Sequence, residues 1–279
     1  MLKKILVSTL IVVMSLSLAS CSEVLPSNQL VVNVLNVGQG DCIYIQLPND
    51  ETMLIDAGEH THSQDIINFI QGTGIRTLNY VIATHPHSDH IGGMAAVIDA
   101  FDVKNVYMPK IAHTTVTFER LLDTIDAKGL SIQTARAGKI LFDYGTLKAE
   151  IIAPNKDKYE DLNNYSAVIL LTYGSKKFLF MGDAEKEIEA EILSKGDISA
   201  DVIKIGHHGS HTSTTQNFIN AVNPSIAIIS VGQDNKYGHP SAAVLSTLEK
   251  ASIDIWRTDE TGTILIKSDG ETITHAMPH

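Results

Sequence analysis

Cysteine is nearly absent from this chain. Of the two present, Cys21 sits in an N-terminal leader and Cys42 in the body. The leader implies export into an oxidising setting, yet no second body thiol is available to Cys42, so a disulfide-framed fold is excluded. Positive charge is also scarce, with 21 Lys and Arg against 32 Asp and Glu. That balance disfavours a non-specific grip on a long polyanion, which needs Lys and Arg to neutralise phosphates. A phosphate ester at a metal centre stays open, because bound cations dominate the local field there. The sequence has no low-complexity tract, no short repeat and, beyond the leader, no segment of the channel-forming membrane type.

Residues 1–20 read as a signal. A basic "MLKK" precedes an apolar "ILVSTLIVVMSLSL" and the small-residue site "LASC", too short a run for a spanning helix. The order resembles a bacterial lipoprotein signal, with Cys21 as the lipidated first residue and the chain anchored at the outer face of the cytoplasmic membrane. An ordinary signal peptide or an uncleaved anchor are the alternatives. Loss of Lys3 and Lys4 with the leader would take the formal charge from −11 to −13. Residues 21–29 read as a short polar tether, and 30–279 as one domain long enough to bury a large core.

From Leu30 the text alternates strands and helices. "LVVNVLNVG", "CIYIQL", "ETMLIDAG" and "NYVIATH" are strand-like, while "SQDIINFIQGTG" and "IGGMAAVIDAF" are helical. The second half repeats the theme, with a hairpin over "SAVILLTYGSKKFLFMGD" and a helix over "AEKEIEAEILSKG" whose acidic run reads as a solvated face. Two such runs predict an α/β architecture of four αββα layers, with two sheets face to face and helices outside. The polar clusters fall at strand ends, where remote residues can converge on one rim.

The densest cluster is "HPHSDH". His85 and His87 are two apart and can reach one ion from an extended segment, while Asp89 and His90 point to a second position. Imidazole nitrogen with carboxylate oxygen suits Zn, Mn or Fe. Asp183 in "FLFMGDAE" follows an apolar strand, where its carboxylate could bridge two ions; a helix N-cap is its other reading. "IKIGHHGS" offers His207 and His208, one as ligand and the other as a neighbouring or substrate group, with no indication of which. Asp56 in "LIDAG" reads either as a group orienting the ligands or as a turn former. "VGQGD" reads as a tight turn, since no helix follows it as a phosphate loop requires. His60 and His62 read as solvated loop residues.

"THPHSDHIGG", "LIDAG", "FMGDAE" and "GHHGS" resemble the metallo-β-lactamase-fold hydrolases, whose αββα sandwich holds a two-metal site. "LNVGQGDCIYIQL", "LNNYSAVI", "IGHHGSHTS" and "SVGQDNKYGHP" narrow the likeness to the extracellular hydrolase domain of ComEC-type competence proteins, from Leu30 to Ile266. The resemblance implies two divalent ions, Zn or Mn, with His85, His87, Asp89, His90, Asp183, His207 and His208 as the ligand pool. It implies a water-activating hydrolase of phosphodiester or other ester bonds, with DNA as one candidate. Asp89 would steer or deprotonate the nucleophile, and His239 or the non-ligating member of His207 and His208 would protonate the leaving oxygen. Many members of the fold carry a further histidine where this chain reads "DLNNYSAV". Asn163, Asn164 and Ser166 occupy that region, and Tyr237 lies beside His239 as a substrate contact. A cell-wall or phosphocholine esterase and a non-catalytic metal-binding lipoprotein scaffold are the competing readings.

Overall fold

The computed structural model describes residues 28–276. The leader, Cys21 and most of the tether lie outside them. The strands are β1 (Leu30–Val34), β2 (Ile43–Gln46), β3 (Thr52–Ile55), β4 (Thr77–Ile82), β5 (Asp102–Met108), β6 (Ile132–Thr134), β7 (Lys139–Asp143) and β8 (Leu147–Ala153). They continue with β9 (Val168–Tyr173), β10 (Lys176–Phe180), β11 (Val202–Lys204), β12 (Ile226–Ile229), β13 (Asp254–Arg257), β14 (Ile264–Ser268) and β15 (Ile273–Ala276). One sheet runs β15-β14-β1-β2-β3-β4-β5-β6 and the other β13-β12-β11-β10-β9-β8-β7. Because β14 returns to pair with β1, the second half of the chain completes the first sheet.

Alternation along the strands sorts side chains into layers. Ile43, Ile45, Met53, Ile55, Tyr80 and Ile82 meet Phe178, Phe180 and Trp256 between the sheets. Their neighbours Tyr44, Leu54 and Val81 point the other way, against helices α1 (Ser63–Gly72), α2 (Ser88–Ile91), α3 (Met94–Ala100) and α4 (Val116–Ala127). Helices α5 (Lys186–Leu193), α6 (Gln216–Val222) and α7 (Ala242–Lys250) cover the outer face of the second sheet. The strand period of two thus builds three apolar interfaces from one sequence, the expected αββα sandwich.

Two local expectations change. The helix expected over "IGGMAAVIDAF" is broken at Gly92–Gly93 into α2 and α3. The acidic run after Asp183 is not wholly solvated: Glu189 is buried, and its carboxylate accepts the backbone amides of Thr214 and Thr215 ahead of α6. Helix α5 begins with Glu185 at its N-cap, so Asp183 does not cap it.

Strand direction places the site. β3, β4 and β5 pair in parallel, as do β10, β11, β12 and β13. Parallel neighbours end on the same edge, so the residues after β3 (Asp56), β4 (His85–His90), β10 (Asp183), β11 (His207, His208) and β12 (Ser230) gather on one rim.

Candidate metal centre

At that rim Asp56 is fully buried and bonds three groups. It accepts the Thr84 amide at 2.8 Å and the Thr84 hydroxyl at 2.7 Å, and it lies 2.7 Å from His90 Nδ1. A carboxylate on Nδ1 holds the proton there and leaves the lone pair of His90 Nε2 free to ligate. The Ser230 carbonyl does the same for His208, 2.9 Å from its Nδ1. Both freed Nε2 atoms face Asp183, at 3.2 Å from Oδ1 for His90 and 3.4 Å from Oδ2 for His208. Asp89 Oδ2 stands 3.4 Å from His208 Nε2 and 3.8 Å from His90 Nε2. One ligand atom from each of Asp89, His90, Asp183 and His208 lies within 4.8 Å of the others.

His85 and His87 form the adjoining part. His85 Nε2 is 3.0 Å from His87 Nδ1 and 3.8 Å from Asp183 Oδ2, so Asp183 faces both groups. Ser166 accepts the Asp183 amide at 3.0 Å and stands 3.4 Å from His85 Nδ1. Gly182 precedes Asp183 at φ +54°, and a Cβ there would press on Thr84 and Ser166, so a side chain would be both strained and crowded. The loop without the expected histidine contributes Asn163, buried, with Oδ1 unpartnered. Asn164 turns away and accepts the Glu185 amide at 3.2 Å.

His207 and His208 separate here. Both adopt left-handed backbone, φ 48° and 52°, which is strain of the kind that clusters at functional sites. That geometry sends His208 into the cage and His207 beside it. His207 Nδ1 meets Glu185 Oε1 at 3.1 Å, and its Nε2 lies 3.9 Å from Asp183 Oδ2. Both ring nitrogens of His208 are thereby committed, which removes it as a proton donor to substrate. Tyr237 is 58% exposed at the mouth and stacks on His239 with ring centroids 5.8 Å apart. A polar cleft of about 310 Å³ opens between this wall and the His87–Asp89 segment.

The electrostatics suit a cation. Burial opposes charge on His90 and His208, but the surrounding carboxylates, Asp183 foremost, outweigh it and hold both imidazoles well above their usual range. Burial likewise opposes ionisation of Asp183, and His208 and His90 overcome it and hold its carboxyl well below. The cluster therefore demands positive charge at its centre. His90 Nε2, His208 Nε2 and Asp183 Oδ1 are buried without hydrogen-bond partners, an arrangement a divalent ion would satisfy. His85, by contrast, is held well below its usual range by burial and by His90, and is ready as a neutral ligand. His239 is pushed down to about 4 by burial and by His207 and His208, so at neutral pH it suits substrate contact better than proton donation.

Sequence reading missed the support beneath the cage. Asp41, from the turn read as merely tight, is buried and forms an ion pair with the fully buried Lys204, whose Nζ also donates to the Gly182 carbonyl at 2.9 Å. Gly40 fits only because it lacks a Cβ, which would meet the Asp89 carbonyl at 2.2 Å. The Gly40 carbonyl accepts from Ser230 Oγ at 2.7 Å. A lysine inside the apolar stretch "DVIKIG" was the available signal, since an unpaired buried ammonium is untenable. Asp56, placed open between orienting and turn roles, orients. His60 and His62 form a short 3₁₀ turn and stay out of the cage.

The profile described as the Metallo-beta-lactamase superfamily matches residues 35–233. ComE operon protein 3 of Bacillus subtilis is 33% identical over 251 residues, covering 84% of this chain and 32% of that protein. Competence protein ComA of Neisseria gonorrhoeae is 29% identical, covering 87% of this chain and 33% of that one. The chain thus spans about a third of the length of these relatives. Among solved structures, the metallo-beta-lactamase fold protein YhfI from Bacillus subtilis superimposes with a TM-score of 0.59 over 86% of this chain and all of that one, at 11% identity. A sandwich of two sheets, a rim cluster of His and Asp able to hold metal, and a matching profile over most of the body agree: the chain belongs to the metallo-beta-lactamase superfamily.

Proposed function

We propose that this protein is a metal-dependent phosphodiesterase that works outside the cytoplasmic membrane, anchored by lipid on Cys21 and using two divalent ions, Zn or Mn. The Asp89–His90–Asp183–His208 cage, three of its members buried and Asp89 half-buried at the edge of a polar cleft, carries the reading. His85 and His87 offer the second position, and Asp183 faces both this pair and the cage. Ions held there would supply Lewis acidity toward a water and toward the ester oxygens.

The chain's own groups do the rest. Asp56 and the Ser230 carbonyl fix the tautomers of His90 and His208, and Ser166 sets the backbone of Asp183. Asp89, facing the cleft, accepts the proton of the attacking water. His207, oriented at Nδ1 by Glu185, is the member of the pair left to face the leaving oxygen. Tyr237 and His239 seat the remainder of the substrate. The likeness to proteins named for competence supports DNA as a candidate ester.

The test is turnover of bis(p-nitrophenyl) phosphate by the purified chain with added Mn or Zn. Chelation and Asp183→Ala should each abolish it, with metal analysis showing less bound ion in the variant. Hydrolysis that survives chelation would sink the proposal, and so would full activity in the Asp183 variant. The anchor is tested apart, by incorporation of labelled fatty acid that Cys21→Ala should eliminate.

A further inference from the structure

We infer that a basic cleft beside the metal centre is an anion subsite, built to take a second phosphate of a chain substrate. This rests on the phosphodiesterase reading and narrows it to substrates carrying more than one phosphodiester.

The cleft has a volume of about 390 Å³ and is walled by Lys110, Arg136, Lys156, Lys158 and Tyr165, with Asp157 as its acidic member. The whole chain carries a formal charge of −11 and only 21 Lys and Arg, so four cations on one wall run against its overall field. Two of them are mounted. Arg136 pairs with Asp157 and donates to the Asn155 carbonyl at 3.0 Å, and Lys156 reaches Glu187 and Glu191 at 2.7 Å each. The loop bearing them is pinned, because Tyr159 Oη accepts the amides of Asn155 and Lys156 at 2.9 Å and donates to Glu191 at 2.8 Å. Lys110 and Lys158 are exposed and make no ion pair among the described residues.

Backbone bonds tie this cleft to the cage. The Ala83 amide, two residues before His85, bonds the Tyr107 carbonyl at 2.9 Å, and Lys110 follows shortly after on the same edge. Ala135 bonds Met108 and Ala137 bonds Pro154, which hold Arg136 between them. Tyr165 adjoins Ser166, whose Oγ is 3.4 Å from His85 Nδ1, so the Tyr165–Ser166 step forms a wall common to cleft and cage. A single small phosphodiester at the metal centre leaves the two free ammonium groups idle. A chain substrate would place a neighbouring phosphate against them and release its counterions, a gain in binding that acts chiefly on KM.

The experiment compares Lys110→Glu/Lys158→Glu with Lys250→Glu, a charge change of the same kind at the exposed end of α7. Fluorescence anisotropy of an end-labelled oligothymidylate in EDTA reports binding without turnover. The double variant should weaken binding roughly tenfold and flatten the salt slope by about 0.7 for each phosphate no longer neutralised, while the Lys250 variant should do neither. With metal present, the ratio of kcat/KM on the oligonucleotide to that on bis(p-nitrophenyl) phosphate should fall through KM. An unchanged ratio with unchanged binding overturns the subsite, as does an equal effect from Lys250→Glu. Cleft-dependent binding without hydrolysis of either ester overturns the phosphodiesterase reading and leaves the anion site standing. Hydrolysis of the small ester without cleft-dependent binding overturns the subsite alone.

Discussion

The Lys204–Asp41 pair invites a quantitative perturbation. Both side chains are removed from solvent, Lys204 completely and Asp41 to 1% exposure. Burial raises the Asp41 carboxyl, and Lys204, His208 and His90 overcome that and hold it below the usual range. Lys204→Met keeps the apolar stem but leaves a buried carboxylate without its main partner, at a cost of about 3–5 kcal/mol. Asp41→Asn strands the ammonium and should cost a similar amount. Removing both charges together removes the unpaired-charge penalty, so the double variant should be no less stable than the worse single one. The coupling energy should then be at least ~3 kcal/mol, since residues in direct contact are not additive. Urea unfolding of the metal-free protein, with all four variants in one buffer, supplies the cycle. Additive losses would refute the claim that the two charges exist to satisfy each other. The same variants should retain the sandwich by circular dichroism, because both substitutions keep side-chain size and leave the apolar layers in place.

Asp56→Asn keeps the shape but weakens the hold on His90, and should lower metal affinity by roughly 10–100-fold, measured by competition with a chelating dye. Glu189→Ala leaves the Thr214 and Thr215 amides buried without an acceptor; it should cost about 1–3 kcal/mol in urea unfolding and leave metal stoichiometry unchanged. In the metal-free protein Asp183 and the neighbouring carboxylates outweigh burial and hold His90 and His208 above their usual range, so protons compete with a cation for both rings. Metal affinity, measured by competition titrations at several pH values, should rise with pH. An affinity that stays flat across the acidic range would mean that protons do not compete for those two imidazoles.

Several features of the rim were legible along the chain because they are local. Strand periodicity announced two sheets, and the crowding of His85, His87, Asp89 and His90 after one apolar strand marked where chemistry would sit. Asp183 and the His207–His208 couple followed by the same logic of polar groups at strand ends. Glu189 escaped because an acidic helix face usually meets water, and only the packing of the 214–215 backbone against α5 buries it. Asp41 escaped because a glycine-rich turn has many uses, and its partner lies 163 positions away on β11.

The order of residues by itself determined which ligand types exist and that they end strands. Only tertiary structure decided which ring nitrogen points where. His90 is turned by Asp56, 34 positions upstream, and His208 by the carbonyl of Ser230, 22 positions downstream. Imidazole has two nearly equivalent nitrogens, and nothing within its own segment distinguishes them. The choice falls to whichever acceptor the parallel strands bring alongside, and parallel pairing is a property of remote contacts.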